Sequence, residues 1–245
     1  MFLFNLQLEV ERGSTMVETR IIATDIDFTL TDARLRLDVA AIEKIRELEE
    51  RGVKVILISG RNLPAIGSLA QLIGTCGFVV AENGGVIARY QTPIKVLGKI
   101  ENARAALRML RKGMGCKVVE RPDSKCGMRL SSVSLERSFD FEEAKRLIRM
   151  SRLRVDLVDT GLTYILLDPR ANKGDALVQL AGLAKLPLTR STGIGDNYND
   201  LDLFGKVAYK IAVANAPEDV KKQADYVCMH SYGRGFMEAI AHIGL

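Results

Sequence analysis

The sequence predicts an α/β fold: a parallel sheet with helices on both faces, interrupted by a smaller inserted α+β domain. An apolar run, an amphipathic helical stretch and a second apolar run follow one another over residues 20–58, and the same alternation returns over residues 174–224. Between these halves, across residues 85–167, short strands surround two helical stretches at 101–112 and 141–149.

Taken in order, residues 20–24 read as a buried strand. Residues 37–51 follow as a helix with Val39, Ile42, Ile45 and Leu48 on one face. Asp38 can accept from the free amides at the start of that helix, and Gly52 can take the left-handed conformation that ends it. Residues 53–58 are continuously apolar, as a strand covered on both faces must be, and the intervening helix supplies the crossover that parallel strands require. In the second half, 174–185 reads as a helix, 191–195 and 207–213 as strands, and 217–224 as a helix. The expected division is a core of residues 17–84 and 168–245, an insertion of 85–167, and an extension of 1–16.

Bulk composition narrows the function classes. At 245 residues the chain can bury a sizeable core, and 47% hydrophobic with 27% charged residues argues against a disordered or fibrous protein. The net charge of +5 is interleaved rather than clustered, which resembles a solvated surface and not a nucleic-acid footprint. No uninterrupted apolar run reaches the roughly 18 residues of a membrane span. Cys76, Cys116, Cys126 and Cys228 lack the close pairing of a zinc site and read as reduced thiols of a cytoplasmic protein. The first sixteen residues show no secretory pattern, and Met16 is a candidate start.

The chemistry concentrates at predicted strand ends. The stretch TDIDFTL, residues 24–30, puts Asp25 and Asp27 two positions apart, so both carboxylates can face one crevice at the carboxyl end of the first strand. GDNYND, residues 195–200, places Asp196, Asn199 and Asp200 after another apolar strand. Clustered carboxylates repel, and a divalent cation such as Mg²⁺ would offset that through oxygen coordination. SGR at 59–61 offers the Ser59 hydroxyl and backbone amides, Gly60 included, to a phosphate oxygen. Lys173, in ANKGD at 171–175, can balance the negative charge. Each piece alone also suits an ordinary turn, cap or solvated cation.

In this order the four segments resemble the haloacid dehalogenase superfamily of phosphohydrolases. Glu82-Asn-Gly-Gly85 ahead of the insertion resembles that of members with a C2-type cap, and Ser231-Tyr232-Gly233 resembles the ending of archaeal phosphoglycolate phosphatases. The resemblance implies a Rossmann-like three-layer core and a mobile cap. It implies Asp25 as nucleophile, Asp27 as acid and base, and Thr29 and Ser59 on phosphoryl oxygens, with Gly60 and Asn199 beside them. Lys173 would stabilise charge, and Mg²⁺ would be held by Asp25, Asp196 and the backbone carbonyl of Asp27, with Asp200 in the surrounding shell. Phe28 departs from the family, which commonly has Gly after the second Asp; its ring either lines the pocket or packs as a core aromatic beneath the loop. Among cap cations, Arg121, Lys125 and Arg129 are candidates for a substrate carboxylate, Arg129 above all. Glu82 and Asn83 are expected to shape the junction of core and cap, with Gly84 and Gly85 permitting a turn. The implied activity is hydrolysis of a small phosphorylated metabolite, 2-phosphoglycolate first. A phosphosugar phosphatase or a phosphotransferase is the alternative, and a noncatalytic or signalling phospho-accepting module the alternative of another class. No nucleic-acid or membrane partner is expected, and a homodimer is the candidate assembly.

Overall fold

The computed structural model describes residues 19–245; the extension of 1–16 and the candidate start at Met16 lie outside the described residues. The first half of the core runs β1 (Ile21–Thr24), α1 (Val39–Glu50), β2 (Lys54–Ile58), α2 (Leu63–Ile73), β3 (Phe78–Ala81), β4 (Val86–Arg89) and β5 (Thr92–Val96). The insertion follows with α3 (Ile100–Met114), α4 (Pro122–Lys125), β6 (Val133–Leu135), α5 (Phe141–Met150), β7 (Asp156–Asp159) and β8 (Tyr164–Leu167). The chain returns to the core through α6 (Lys173–Ala184), β9 (Ser191–Gly195), α7 (Leu201–Phe204), β10 (Tyr209–Ala212), α8 (Glu218–Lys221), β11 (Tyr226–Val227) and α9 (Tyr232–His242).

The large sheet has the order β11-β10-β9-β1-β2-β3-β4-β5, parallel from β11 to β3. Alternate strand residues supply its two faces. Ile22, Val55, Leu57 and Val79 pack with Ile45, Leu48, Ile66 and Phe236 on one side. Ile21, Ala23, Ile56, Ile58 and Val80 pack with Leu177 and Leu180 of α6 on the other, giving three layers. Among the described residues no helix is long and apolar enough to cross a membrane.

Two expectations are corrected. Val39 is 76% exposed, and Ala41 takes its place on the buried face with Ile45 and Leu48. Two residues advance an α-helix by about 200°, so Val39 and Ala41 cannot face the same side. The boundary at 85 also moves. Residues 86–96 form an antiparallel hairpin on β3, and Leu97 packs against the core, so the insertion begins beyond it. The insertion has its own antiparallel sheet, β6-β8-β7, and its own apolar cluster built on α3 and α5.

Asp38 caps α1 as expected, accepting from the Ala40 and Ala41 amides, and Gly52 has φ +85°. The expected strand at 207–213 and helix at 217–224 form as the shorter β10 and α8. The structure adds α2, β3 and α9, which the sequence reading did not assign.

Candidate active site

β1 lies between β9 and β2 and pairs with both in parallel, so their carboxyl ends deliver Asp25, Asp196 and Ser59 to one place. The Asp25 amide donates to the Ile194 carbonyl at 3.0 Å, continuing the ladder to the point where the side chain leaves the sheet. Asp25 Oδ1 accepts from the Ile26 amide at 2.8 Å, and Asp25 Oδ2 lies 3.0 Å from Lys173 Nζ. Lys173, the first residue of α6, is 1% exposed and also donates to Asp200 Oδ1 at 2.7 Å. Asp200 Oδ2 accepts from the Asp196 and Asn197 amides, so both of its oxygens have internal partners.

Carboxylate oxygens of Asp25, Asp196 and Asp200 lie within 4.8 Å of one another, and all three residues are buried. Burial pushes the Asp25 carboxyl up to about 7, with Asp200 and Asp27 adding to the rise and Lys173 opposing it. Burial likewise raises Asp196 to about 8, helped by Asp25 and Asp200 and opposed by the Thr29 hydrogen bond. Burial disfavours the Lys173 ammonium, yet Asp200 and Asp25 hold its pKa above the usual lysine range. When ionised, three buried carboxylates facing one lysine would leave an excess of negative charge, and their hard oxygen donors suit a divalent cation such as Mg²⁺. The Asp27 carboxylate does not belong to this cluster and turns to Arg61. Arg61 Nε donates to both of its oxygens, at 3.2 and 3.0 Å, and Nη2 donates to Oδ1 at 2.6 Å.

The loop after Asp27 turns tightly, the Leu30 and Thr31 amides both donating to the Ile26 carbonyl. Phe28 takes φ +63°, the conformation glycine would adopt without steric cost. It is held there by its amide donating to Thr31 Oγ1 and its carbonyl accepting from Asn215 Nδ2. Asn215 Oδ1 in turn accepts from the Tyr232 amide, so the Ser231-Tyr232-Gly233 segment braces this loop.

A cavity of about 570 Å³ opens between core and cap, with Asp25, Asp27, Ser59, Gly60, Asp196 and Asn199 in its lining. Phe28 also lines it, with Leu35 and Leu162, so of the two expectations for its ring the pocket wall is the observed one. Thr29 is fully buried, and its hydroxyl donates to Asp196 Oδ1 at 2.9 Å rather than facing the cavity. The hydroxyl expected on a phosphoryl oxygen is thus engaged by Asp196 in this arrangement.

The cap cations separate. Lys125 lies away from this cavity, beside Cys116 and Val119. Arg121 lines it and pairs with Glu136 through Nη1 at 3.2 Å. Arg129 also lines it, but all three guanidinium nitrogens are engaged: Nε on Asp123, Nη1 on Ser132 Oγ and Nη2 on the Gly60 carbonyl. It is a strut between cap and core, not a free cation for substrate. Asn199 Nδ2 donates to Asn83 Oδ1 at 3.1 Å, which ties the acidic loop to the junction. Sequence reasoning missed the part played by Arg61, although SGR contained it, and the contribution of Thr160 and Thr163 to the cavity, which no local pattern marks.

Comparison with known proteins agrees with this geometry. The sequence profile described as haloacid dehalogenase-like hydrolase matches residues 22–106 and 142–240. A phosphoglycolate phosphatase of Methanoculleus marisnigri is 35% identical over 222 residues, covering 90% of this chain and 95% of its own. One of Archaeoglobus fulgidus is 36% identical over 231 residues, covering 94% and 99%. The crystal structure of Thermoplasma acidophilum 0175 superposes with a TM-score of 0.80 at 27% identity, covering 92% of this chain and 98% of that one. Sequence profile, relatives and fold thus agree that the chain belongs to the haloacid dehalogenase-like hydrolase family, as one of its phosphatases.

Proposed function

We propose that the protein is a Mg²⁺-dependent phosphomonoester hydrolase that works through an aspartyl-phosphate on Asp25, with 2-phosphoglycolate as the leading substrate. The observation that carries the mechanism is the division of labour between two carboxylates. Asp25 sits beside Lys173 at the floor of the cavity, while Asp27 lines the same cavity and is turned aside by Arg61. The substrate reading rests on the names of the two archaeal relatives.

In the first step an Asp25 carboxylate oxygen attacks phosphorus, the ester P–O bond breaks, and Asp27, which must enter this step protonated, gives that proton to the leaving alkoxide. In the second, water attacks the phosphorus of the aspartyl-phosphate, Asp27 takes the water's proton, and the bond to Asp25 breaks to release phosphate. Lys173 keeps Asp25 oriented and offsets charge, while Ser59 and the Gly60 loop receive phosphoryl oxygens. Thr29 and Asp200 act indirectly, Thr29 orienting Asp196 and Asp200 orienting Lys173. Asp25, Asp196 and the Asp27 carbonyl would hold Mg²⁺, which supplies Lewis-acid neutralisation of the phosphoryl oxygens when bound.

The test is phosphate release from 2-phosphoglycolate and a panel of phosphosugars with Mg²⁺. Asp25→Asn and Asp27→Asn should each lower turnover by about 1,000-fold or more. Activity persisting in Asp25→Asn protein shown free of deamidation would remove Asp25 as nucleophile. The cavity volume favours one second reading, a bulkier phosphosugar substrate, which the same panel separates by its preference.

A further inference from the structure

We propose that Arg61, not a cap cation, selects the substrate by receiving a carboxylate on the leaving group. This deepens the phosphoglycolate reading and rests on it. A guanidinium presents two edges to planar anions. The Nε/Nη2 edge of Arg61 is filled by Asp27. Its Nη1 has no partner among the described residues, and the side chain, 35% exposed, lines the cavity. The Nη1/Nη2 edge is therefore the open half of a fork whose other half is already fixed.

Substrate geometry then distinguishes Arg61 from its rival. In 2-phosphoglycolate a single methylene separates the ester oxygen from the carboxylate. If Asp27 serves that ester oxygen, the carboxylate must lie against whatever cation touches Asp27. Arg61 Nη2 is 2.6 Å from Asp27 Oδ1. Arg121 is held on the cap by Glu136 through Nη1, Arg129 is 6% exposed with each guanidinium nitrogen already on a protein partner, and Lys173 is committed to Asp25 and Asp200 at 1% exposure; none of the three contacts Asp27. The loop carrying Arg61 is also fixed on the core: its amide donates to Ser59 Oγ and its carbonyl accepts from the Glu82 amide. Selection of the anion would thus be built into the rigid sheet end and not into the cap, with the same side chain orienting Asp27.

The experiment compares kcat/KM for 2-phosphoglycolate and 2-hydroxyethyl phosphate, which is similar in size but lacks the carboxylate. It uses the Mg²⁺-loaded full chain as wild type, Arg61→Gln and Arg121→Gln. The wild type should prefer 2-phosphoglycolate, and Arg61→Gln should reduce that preference on the order of 30-fold, the low end for a partly exposed charge pair. Arg121→Gln should preserve it. Both esters should also slow in Arg61→Gln as Asp27 loses its orientation, and the ratio separates the two effects. If that variant turns over neither ester, the comparison is made as calorimetric Kd values of the two esters in an Asp25→Asn background with and without Arg61→Gln, where the same ratio decides. A preference that survives Arg61→Gln, or collapses in Arg121→Gln alone, overturns the role of Arg61 and leaves the substrate reading standing. A wild type without preference overturns the phosphoglycolate reading, and this inference with it.

Discussion

Phe28 holds a left-handed backbone conformation with a bulky side chain, a combination that costs about 1 kcal/mol relative to glycine. Two hydrogen bonds offset it, Thr31 accepting from its amide and Asn215 donating to its carbonyl, while the residue lines the cavity wall. Phe28→Gly should therefore change stability by no more than about 1 kcal/mol, because relief of strain opposes the added freedom of the unfolded chain. Removal of a core aromatic would instead cost about 3–5 kcal/mol. Urea denaturation separates these outcomes, and KM should rise as the wall is lost.

The element that holds the cap to the core by side-chain contact is a left-handed turn between β3 and β4. Glu82, Asn83 and Gly84 take φ of +55°, +54° and +99° in succession. A Cβ on Gly84 would lie 2.1 Å from the Asn172 carbonyl oxygen, so the turn needs glycine there both for its φ and for this close approach to the start of α6. The turn aims Glu82 into the cap, where its fully buried carboxylate accepts from the Leu130 and Ser131 amides and from the Ser131 and Ser132 hydroxyls. Four donors satisfy its two buried oxygens. Glu82→Ala leaves those donors unpaired and should cost about 3 kcal/mol of stability, measured by denaturant midpoint. The neighbouring Asn83 reaches the opposite way to Asn199, so one turn touches both the cap anchor and the acidic loop.

Across the whole molecule, the acidic cluster couples folding to pH and to metal. Asp25 and Asp196 rise from an ordinary value of 3.8 to about 7 and about 8, so the folded metal-free protein binds more protons than the unfolded chain between those limits. Its stability should fall as pH rises from about 4 to about 8, since stability rises with pH only where the unfolded state binds more protons. Mg²⁺ binding requires the ionised carboxylates, so added Mg²⁺ should raise the thermal midpoint more at pH 8 than at pH 5. Equal shifts at both pH values would remove the cluster as the metal site. Glu238 behaves oppositely. Although burial would raise it, hydrogen bonds from the Met229 and His230 amides, the His230 ring and Tyr226 hold it at about 2. Its contribution is present above the ordinary glutamate range and is lost as pH falls toward 2, an acid limb that Glu238→Gln should flatten in a pH series of thermal midpoints.

Local sequence determined those parts of the molecule whose causes are local. The apolar runs at β1, β2 and β9, the Asp38 cap and the carboxylates at the strand ends were legible because period, capping and turn chemistry act within a few residues. Tertiary structure alone decided what depends on residues far apart in the chain. Thr29 meets Asp196 across 167 positions, and Arg129 meets Gly60 across 69; those encounters make one an orienting group and the other a strut. Residues 86–96 join the core because β3 offers an open edge to pair with, which composition does not reveal. Arg61 was visible in SGR as a residue type, but only the meeting of β2 with β1 puts its guanidinium on Asp27 and leaves its other edge open to the cavity.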